Sequence, residues 1–382
     1  MFRKISQYFV LLVFLLGRVL SHYEAWAPSE EKVNDIDLSL AKCNGLDIRE
    51  VTITKVHDWF KDKRLTPLDL TRCYLARIDR MDHFLHSIIE VNPDAENIAR
   101  KLKFPDFTRY PLWGIPILVK DNIATTDSMN TTAGSFLLLN SKPKHEASVI
   151  RFLKNAGAII LGKTNMSDLA GNRSPSVPDG WSSRRGQTIN PYNSTMTTYG
   201  SSSGSAVAVS GNLAMASLAT DTCGSLITPS SAGMVVGSKA SYGRISNSGI
   251  VPLAPSLDSI GVMTRTVEDN MKVLNVIASY SPLCHPSIRV GVVRYPYMNE
   301  ALPEIISQFN KMVTHIRKAN LTVVDELTLP PNFNGYSYFE TVVDVEVKHF
   351  MAKYLMTTTG NVSSLADMIK LNQQVSRHLR LG

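Results

Sequence analysis

Hydrophobic and polar positions alternate in two different ways along this chain of 382 residues. Between residues 48 and 97, apolar side chains such as Leu70, Tyr74 and Ile78 recur at helical spacing, with charged residues between them. This period predicts amphipathic helices. From Trp113 onward, short apolar runs of the kind found in buried strands alternate with helical stretches. That alternation predicts an α/β fold, in which helices cover a β-sheet.

The predicted elements can be placed along the chain. Strands are expected at residues 115–119, 158–161, 288–293 and 321–325, and helices at residues 148–155, 303–319 and 339–381. The small apolar residues of segment 206–218 predict a tightly packed helix or a helix followed by a strand. Neither an internal repeat nor a low-complexity linker interrupts the pattern, so we expect one domain over residues 48–382.

Composition supports a globular protein with a substantial core, because 44% of the residues are hydrophobic. The net charge of +7 is mild and includes three basic residues among the first 21 positions: Arg3, Lys4 and Arg18. No run of Lys or Arg marks a nucleic-acid-binding surface. Four cysteines are too few for a disulfide scaffold, but they permit a Cys43–Cys73 bridge and leave Cys223 as an expected free thiol.

The first 21 residues have the pattern of a secretory signal peptide: a basic start, a short apolar stretch at 8–16, and small residues at 19–21. The stretch is short for a bilayer span, so we expect no stable membrane span and favour cleavage over a signal anchor. Residues 22–47 then form an N-terminal segment. Glycosylation sequons fit a secreted protein or a route through the secretory pathway, and occur at Asn130, Asn165, Asn172, Asn193, Asn320 and Asn361.

Two glycine turns rich in hydroxyl groups flank the small-residue segment, at residues 200–205 and 220–225. Glycine allows backbone N–H groups to crowd around a developing oxyanion, and serine supplies a nucleophile. The first turn contains the pentapeptide Gly-x-Ser-x-Gly, which would make Ser202 the nucleophile of an α/β-hydrolase-type esterase. That mechanism also needs an acid and a histidine, and no downstream histidine lies in a loop with an obvious acidic partner.

A lysine offers another catalytic base. Lys120 ends the apolar run at 115–119, where burial would lower its pKa and favour the neutral amine. Lys163 ends the run at 158–161 in the same manner. Composition does not decide between them, and a lysine at a strand end is more often a packed side chain whose amine reaches solvent.

These residues resemble the amidase signature family of Ser-Ser-Lys serine hydrolases, most strongly between residues 114 and 243. The family pairs a serine-rich turn with a second loop whose serine follows 24 residues later, which aligns Ser201 with Ser225. The resemblance implies a mixed β-sheet covered on both faces by α-helices. It also implies hydrolysis of a non-peptide carboxylic amide, with Ser225 as nucleophile, Ser201 as proton relay and Lys120 as base.

The same resemblance assigns the remaining site residues. The oxyanion hole would consist of the backbone N–H groups of Thr222, Cys223, Gly224 and Ser225. Ser202 and Asp221 would support the site. No cofactor or metal is implied, and the expected partner is a small-molecule amide. The oligomeric state is not implied.

Two of the chain's departures from the family pattern bear on its function. Ile227 occupies a position where many members have arginine, which puts recognition of a polar or carboxylate-bearing substrate in doubt. Family members also continue beyond residue 382, so we expect a C-terminally truncated domain. This leaves a catalytically inactive amidase-like protein as the alternative function, with a glutamine amidotransferase role disfavoured by the signal segment.

Overall fold

The computed structural model describes residues 42–103, 105–278, 289–294, 298, 301–327, 336–360 and 362–379. The predicted signal peptide and most of the segment 22–47 lie outside the described residues.

Helices and strands alternate along the described chain. The strands are β1 Ile88–Val91, β2 Pro116–Lys120, β3 Lys142–Pro143, β4 Ile159–Thr164, β5 Trp181–Ser182, β6 Gly186–Gln187, β7 Ala216–Asp221, β8 Val236–Lys239, β9 Ser259–Thr264, β10 Arg289–Val293, β11 Thr322–Leu327 and β12 Thr358–Thr359. The helices are α1 Ile53–Lys61, α2 Pro67–Leu85, α3 Ala95–Lys101, α4 Ser148–Asn155, α5 Ser203–Ser210, α6 Ile227–Ala232, α7 Val267–Ile277, α8 Pro303–Lys318, α9 Tyr336–Leu355 and α10 Leu365–Leu379.

A six-stranded sheet forms the centre of the first compact unit, in the order β1-β4-β2-β7-β9-β8. Strand β2 pairs in parallel with both β4 and β7, whereas β1, β9 and β8 pair antiparallel with their neighbours. Every residue of β2, β4, β7 and β9 is buried. Helices therefore cover both faces of this mixed sheet, as the sequence predicted.

The N-terminal helical region is interrupted by a strand that the sequence analysis did not predict. Helix α2 begins with a capping box, because the Thr66 side chain accepts from Asp69 N–H while the Asp69 carboxylate accepts from Thr66 N–H. It ends at Leu85, and β1 follows as the edge strand beside β4. Cys43 and Cys73 form the disulfide that the sequence permits.

A second compact unit comprises residues 281–342. In it, β10 and β11 pair in parallel and are connected through α8. Asp325 accepts from both Arg294 and Arg317 within this unit. Strand β10 covers residues 289–293 of the strand predicted at 288–293, and residue 288 lies outside the described residues.

The C-terminal stretch predicted as helical consists of two helices, α9 and α10, separated by β12, which pairs with β3. Their apolar side chains pack with Leu137, Leu138 and Val251 in a second hydrophobic cluster. Within the described residues, no helix combines the length and apolar character needed to cross a bilayer.

Candidate active site

Lys120 is the last residue of β2 and is completely buried. Its amine contacts one polar cluster: Nζ lies 2.7 Å from Ser201 Oγ, 2.8 Å from Ser202 Oγ and 3.2 Å from Thr220 O. Ser202 Oγ also donates to Thr220 O at 3.0 Å. The end of β2, the serine turn and the end of β7 therefore meet at this amine.

Burial lowers the pKa of Lys120 to about 7, because removing the amine from water disfavours its charged form. The carboxylates of Asp221 and Asp258 oppose this shift without cancelling it. A large fraction of the Lys120 side chains is therefore neutral near pH 7, as a catalytic base requires.

The serine turn is tightly packed before α5. The Gly200–Ser201 peptide bond is cis, and Ser201 O accepts from Ser167 N–H at 3.0 Å. A Cβ atom at position 200 would overlap Ser167 Oγ and come within 2.8 Å of Asp179 Oδ1. Only glycine therefore fits at the residue that precedes Ser201.

The second turn connects β7 to α6 and carries Ser225. Its backbone joins the first turn, because Ser202 N–H donates to Ser225 O at 2.9 Å. Ser225 is half-buried, whereas Ser201 and Ser202 are buried. Among the hydrogen bonds of the described residues, none involves Ser225 Oγ.

Asp221 organises this second turn. Its carboxylate accepts from the N–H groups of Gly224 at 2.9 Å and Leu226 at 2.7 Å, and pairs with Lys239 Nζ at 2.6 Å. Burial acts to raise the pKa of Asp221, but the Lys239 ammonium and these two N–H donors bring it below its ordinary value. Asp221 therefore remains ionised and fixes the turn that carries Ser225 through these hydrogen bonds.

The hydrogen bond from Gly224 refines the predicted oxyanion hole. The four expected donors were the N–H groups of residues 222–225, and the structure directs the Gly224 N–H at Asp221. For Thr222, Cys223 and Ser225, no partner of the backbone N–H occurs among the described residues. These three groups are thus better placed to receive an oxyanion. Gly224 has φ +91°, a conformation that favours glycine.

Thr222 and Cys223 differ in the surroundings of their side chains. Thr222 Oγ1 donates to Asp258 Oδ1 at 2.6 Å, while Cys223 is an exposed free thiol, as the cysteine pattern predicted. Asp258 Oδ2 accepts from Leu253 and Ala254 N–H groups, which anchors it. Sequence reasoning did not identify Asp258 or Lys239, and neither has a local motif to reveal it.

Lys163, the second candidate base, does not join the serine cluster. It is also completely buried, but its Nζ donates to Ile123 O and to Thr131 Oγ1. Burial lowers the pKa of Lys163 to about 8, against the opposing effect of Asp121, Asp127 and Glu90. Among the described residues, no three His, Cys, Asp or Glu side chains are arranged to share a metal ion.

The geometry disfavours Ser202 as the nucleophile of an elbow-type esterase. Its side chain is fully buried, and its Oγ is engaged by Lys120 and by Thr220 O. Of the downstream histidines, His315 and His349 lie on exposed helical surfaces, and His285 lies outside the described residues.

The described chain contains a cavity of about 350 Å³ whose lining includes none of Lys120, Ser201, Ser202 and Ser225. Asn122, two residues after Lys120, lines it together with Val251, whose N–H donates to Asn122 O at 2.8 Å. Most of the remaining wall is apolar and includes Leu169, Ala170, Val347, Met351, Leu365 and Met368. The arrangement is a candidate substrate pocket.

Comparison with known proteins decides the family. The family model described as Amidase matches residues 69–380. The chain belongs to the amidase family. Its members' shared chemistry, hydrolysis of C–N amide bonds, is therefore the coarse function of this amidase.

Individual relatives agree with this assignment. A probable amidase of Arabidopsis thaliana is 38% identical over 352 residues, which cover 86% of this chain and 69% of the relative. A putative amidase of Arthroderma benhamiae is 31% identical over 306 residues, covering 73% of this chain and 52% of the relative. The structure of a peptide amidase from Stenotrophomonas maltophilia is similar with a TM-score of 0.77 and 33% identity, covering 86% and 72%.

The glycosylation sequons divide by exposure. Asn172, Asn193 and Asn320 are exposed, and Asn130 is partly buried. Asn165 is completely buried, and its Nδ2 donates to His86 O, Gly186 O and Thr188 Oγ1. Asn165 in this amidase is therefore excluded as a glycan acceptor in the folded state, and Asn361 lies outside the described residues.

Proposed function

We propose that this amidase hydrolyses a carboxylic amide through an acyl-enzyme on Ser225, with Ser201 as proton relay and Lys120 as base. Neutral Lys120 takes the Ser201 proton as Ser201 takes the Ser225 proton. Ser225 Oγ then attacks the amide carbon. The C–N bond breaks, and the departing nitrogen receives the proton back through Ser201. A water molecule then loses a proton through the same relay and attacks the acyl carbon. This step releases the carboxylic acid and restores the Ser225 hydroxyl.

The 2.7 Å contact between Lys120 Nζ and Ser201 Oγ is the observation that carries this proposal. It joins a buried amine with a pKa near 7 to a hydroxyl at the turn beside Ser225. Proton transfer is efficient when the base has a pKa close to the working pH and lies within hydrogen-bond reach. The backbone N–H groups of Thr222, Cys223 and Ser225 support the negative oxygen of the tetrahedral intermediate.

The proposed substrates are small amides, and this class includes the amides of peptides. A restriction to non-peptide bonds, which the family resemblance implied, has no support in the pocket, because its apolar wall accommodates an apolar group of either origin. The peptide amidase among the similar structures favours testing a peptide amide first.

A fluorophosphonate probe tests the nucleophile. We expect the wild-type chain and Ser202→Ala to be labelled, and Ser225→Ala to remain unlabelled, because only Ser225 would form the covalent adduct. Turnover of an aryl amide, followed by release of the aryl amine, tests the reaction itself. A folded chain without turnover would instead support an inactive amidase-like protein.

The reverse labelling pattern, with label lost only in Ser202→Ala, would overturn the assignment of Ser225. Circular dichroism of each variant establishes that loss of label is not loss of fold. The two Ser→Ala changes are matched, since each removes one hydroxyl from one of the two adjoining turns.

We further propose that the chain enters the secretory pathway. The disulfide between Cys43 and Cys73 supports this, because such bonds persist in oxidising compartments. Expression of the full chain in eukaryotic cells, followed by analysis of medium and lysate, tests the proposal. A chain retained in the cytosol with its N-terminal 21 residues intact would contradict it.

A further inference from the structure

Lys239 contacts the turn that carries Ser225 from another strand of the sheet. It is the last residue of β8, and its Nζ donates to Asp221 Oδ1 at 2.6 Å and to Thr222 O at 3.4 Å. The side chain of Lys239 is 33% exposed, whereas the Asp221 carboxylate is completely buried. A buried anion and its half-exposed counter-charge therefore meet at the start of this turn.

Strand pairing brings the lysine to this place. Lys239 is paired with Gly261 of β9, and Gly261 is paired with Ala219 of β7. Directly opposed residues point to the same face of a sheet, and so do residues two apart along a strand. Lys239, Ala219 and Asp221 therefore share one face. Gly261 has no side chain on that face, and the lysine reaches across β9 to the end of β7.

The contact with Thr222 O determines the direction of a proposed oxyanion donor. The peptide bond between Thr222 and Cys223 is trans. In a planar trans peptide, the carbonyl and the N–H that follows it point in opposite directions. Because the Thr222 carbonyl is directed at Lys239 Nζ, the Cys223 N–H points away from the ammonium. This orientation keeps it available to an oxyanion.

The contact with Asp221 acts on the backbone on both sides of Ser225. The carboxylate accepts from Gly224 N–H at 2.9 Å and from Leu226 N–H at 2.7 Å. Burial acts to raise the pKa of Asp221, and the strongest opposing effect is the hydrogen bond from Lys239. Without Lys239 the buried carboxylate loses its counter-charge, and a protonated Asp221 is a weaker acceptor for the two N–H groups.

We propose that Lys239 is a positioning residue of the amidase reaction, which holds the turn 221–226 so that its remaining backbone N–H groups point at the oxyanion. The inference rests on the reaction proposed above. The oxyanion exists only in the transition state and the tetrahedral intermediate. Displaced donors should therefore lower kcat and leave KM almost unchanged.

Lys239→Met tests the role of the ammonium, with Lys272→Met as the matched control. Lys272 is 32% exposed and also pairs with a carboxylate, but its partner Glu268 is exposed on α7. We expect Lys239→Met to lower kcat for an aryl amide roughly 10- to 100-fold, with KM changed less than about threefold. Lys272→Met should leave both constants within about twofold of wild type. Lys239→Arg retains a cationic donor and should keep kcat within about threefold of wild type.

The pH profile distinguishes positioning from a general loss of structure. The charged groups around Asp221 are Lys239 on β8, Lys120 at the end of β2 and Asp258 before β9, and the turn itself contributes the exposed thiol of Cys223. In Lys239→Met the uncompensated carboxylate has a raised pKa and also raises the pKa of Lys120. Both changes move the acidic limb of kcat/KM to higher pH, so the loss should be larger at pH 6 than at pH 9. A general defect would lower kcat/KM by the same factor at each pH.

Hydrogen exchange of the turn measures positioning without turnover. The N–H groups of Gly224 and Leu226 bond to Asp221, so NMR should show their exchange roughly tenfold faster in Lys239→Met and unchanged in Lys272→Met. Thermal melting establishes that each variant is folded. If Lys239→Met does not fold, Lys239→Gln removes the same charge and takes the same tests.

Wild-type exchange rates in the charge-free variant would overturn the proposal whether or not the chain hydrolyses amides. An unchanged kcat in an active enzyme would overturn it too, as would a loss of kcat/KM that is equal at pH 6 and pH 9. Faster exchange in the variant, together with a wild-type chain that releases no aryl amine, would contradict only the proposed reaction and leave Lys239 as the residue that holds the turn.

Discussion

Two buried lysines at the ends of neighbouring parallel strands show what distinguishes a candidate base from a structural amine. Lys120 ends β2, and Lys163 is the penultimate residue of β4. The register pairs Lys120 with Thr164 and Val119 with Lys163. Because successive side chains of a strand point to opposite faces, the two amines lie on opposite faces of the sheet.

Burial alone gives the two lysines similar acid–base properties. The pKa is about 7 for Lys120 and about 8 for Lys163, in each case lowered mainly by removal from water. Their partners differ: Lys120 contacts two serine hydroxyls, whereas Lys163 contacts a backbone carbonyl and a threonine. A lowered pKa therefore indicates a neutral amine, and only the neighbouring groups indicate proton transfer.

The largest expected difference between the two lysines is in catalysis. Lys120→Met should lower kcat/KM for an aryl amide roughly 100- to 10,000-fold, the range typical for loss of a general base. Lys163→Met should lower kcat/KM less than about tenfold. The Lys163 amine does not contact the proton relay, so its loss affects the rate only by displacing the catalytic groups. Steady-state kinetics at pH 8 measures both.

Matched substitutions make this comparison direct, since Met retains most of the side-chain volume in each buried position. Rates are referred to the folded fraction of each variant, determined by circular dichroism. Equal losses for the two variants would contradict the division of roles.

Stability should distinguish the two lysines less than catalysis does. Lys163→Met leaves Ile123 O without its donor, while Thr131 Oγ1 retains Thr125 N–H. Lys120→Met leaves Ser201 Oγ without its partner, while Thr220 O retains Ser202 Oγ. An unpaired buried polar group costs about 1–3 kcal/mol, so we expect the free energy of unfolding to fall by about that amount in each variant. Urea unfolding at pH 8 measures both losses, and an unchanged free energy of unfolding in Lys163→Met would exclude the structural role.

The smallest expected difference concerns the dependence of kcat/KM on pH. The reaction needs neutral Lys120, so kcat/KM should be nearly constant well above pH 7 and fall about tenfold per pH unit well below it. Lys163→Met should keep this acidic limb near pH 7, because its amine is not the titrating base. A limb that moves by more than about one pH unit in Lys163→Met would show that the titration does not belong to Lys120 alone.

Much of the fold could be predicted from the sequence because local patterns determine it. The helix expected at residues 148–155 has those bounds in the structure, since Val149, Ile150 and Leu153 form one buried face. Strand β1 was not predicted. Its four residues lie between two helices, and pairing with β4 rather than a local period determines their conformation.

The candidate site was predictable where spacing along the chain carries the information. Ser201 and Ser225 were aligned by family spacing, and the structure brings their turns together. The choice of Lys120 over Lys163 depends on strand register, which composition does not contain. The pairing of Asp221 with Lys239 and of Thr222 with Asp258 depends on side chains that only the folded sheet brings together.

The buried position of Asn165 has a consequence for biosynthesis. The tripeptide Asn-x-Ser/Thr is the acceptor sequence for N-glycosylation, and Asn165 begins one such tripeptide just after β4. A glycan on this Asn would occupy the nitrogen that bonds to His86, Gly186 and Thr188, so the modified chain would be unable to close around it. In a secreted form of this amidase, folding around Asn165 would therefore require that this sequon remain unmodified.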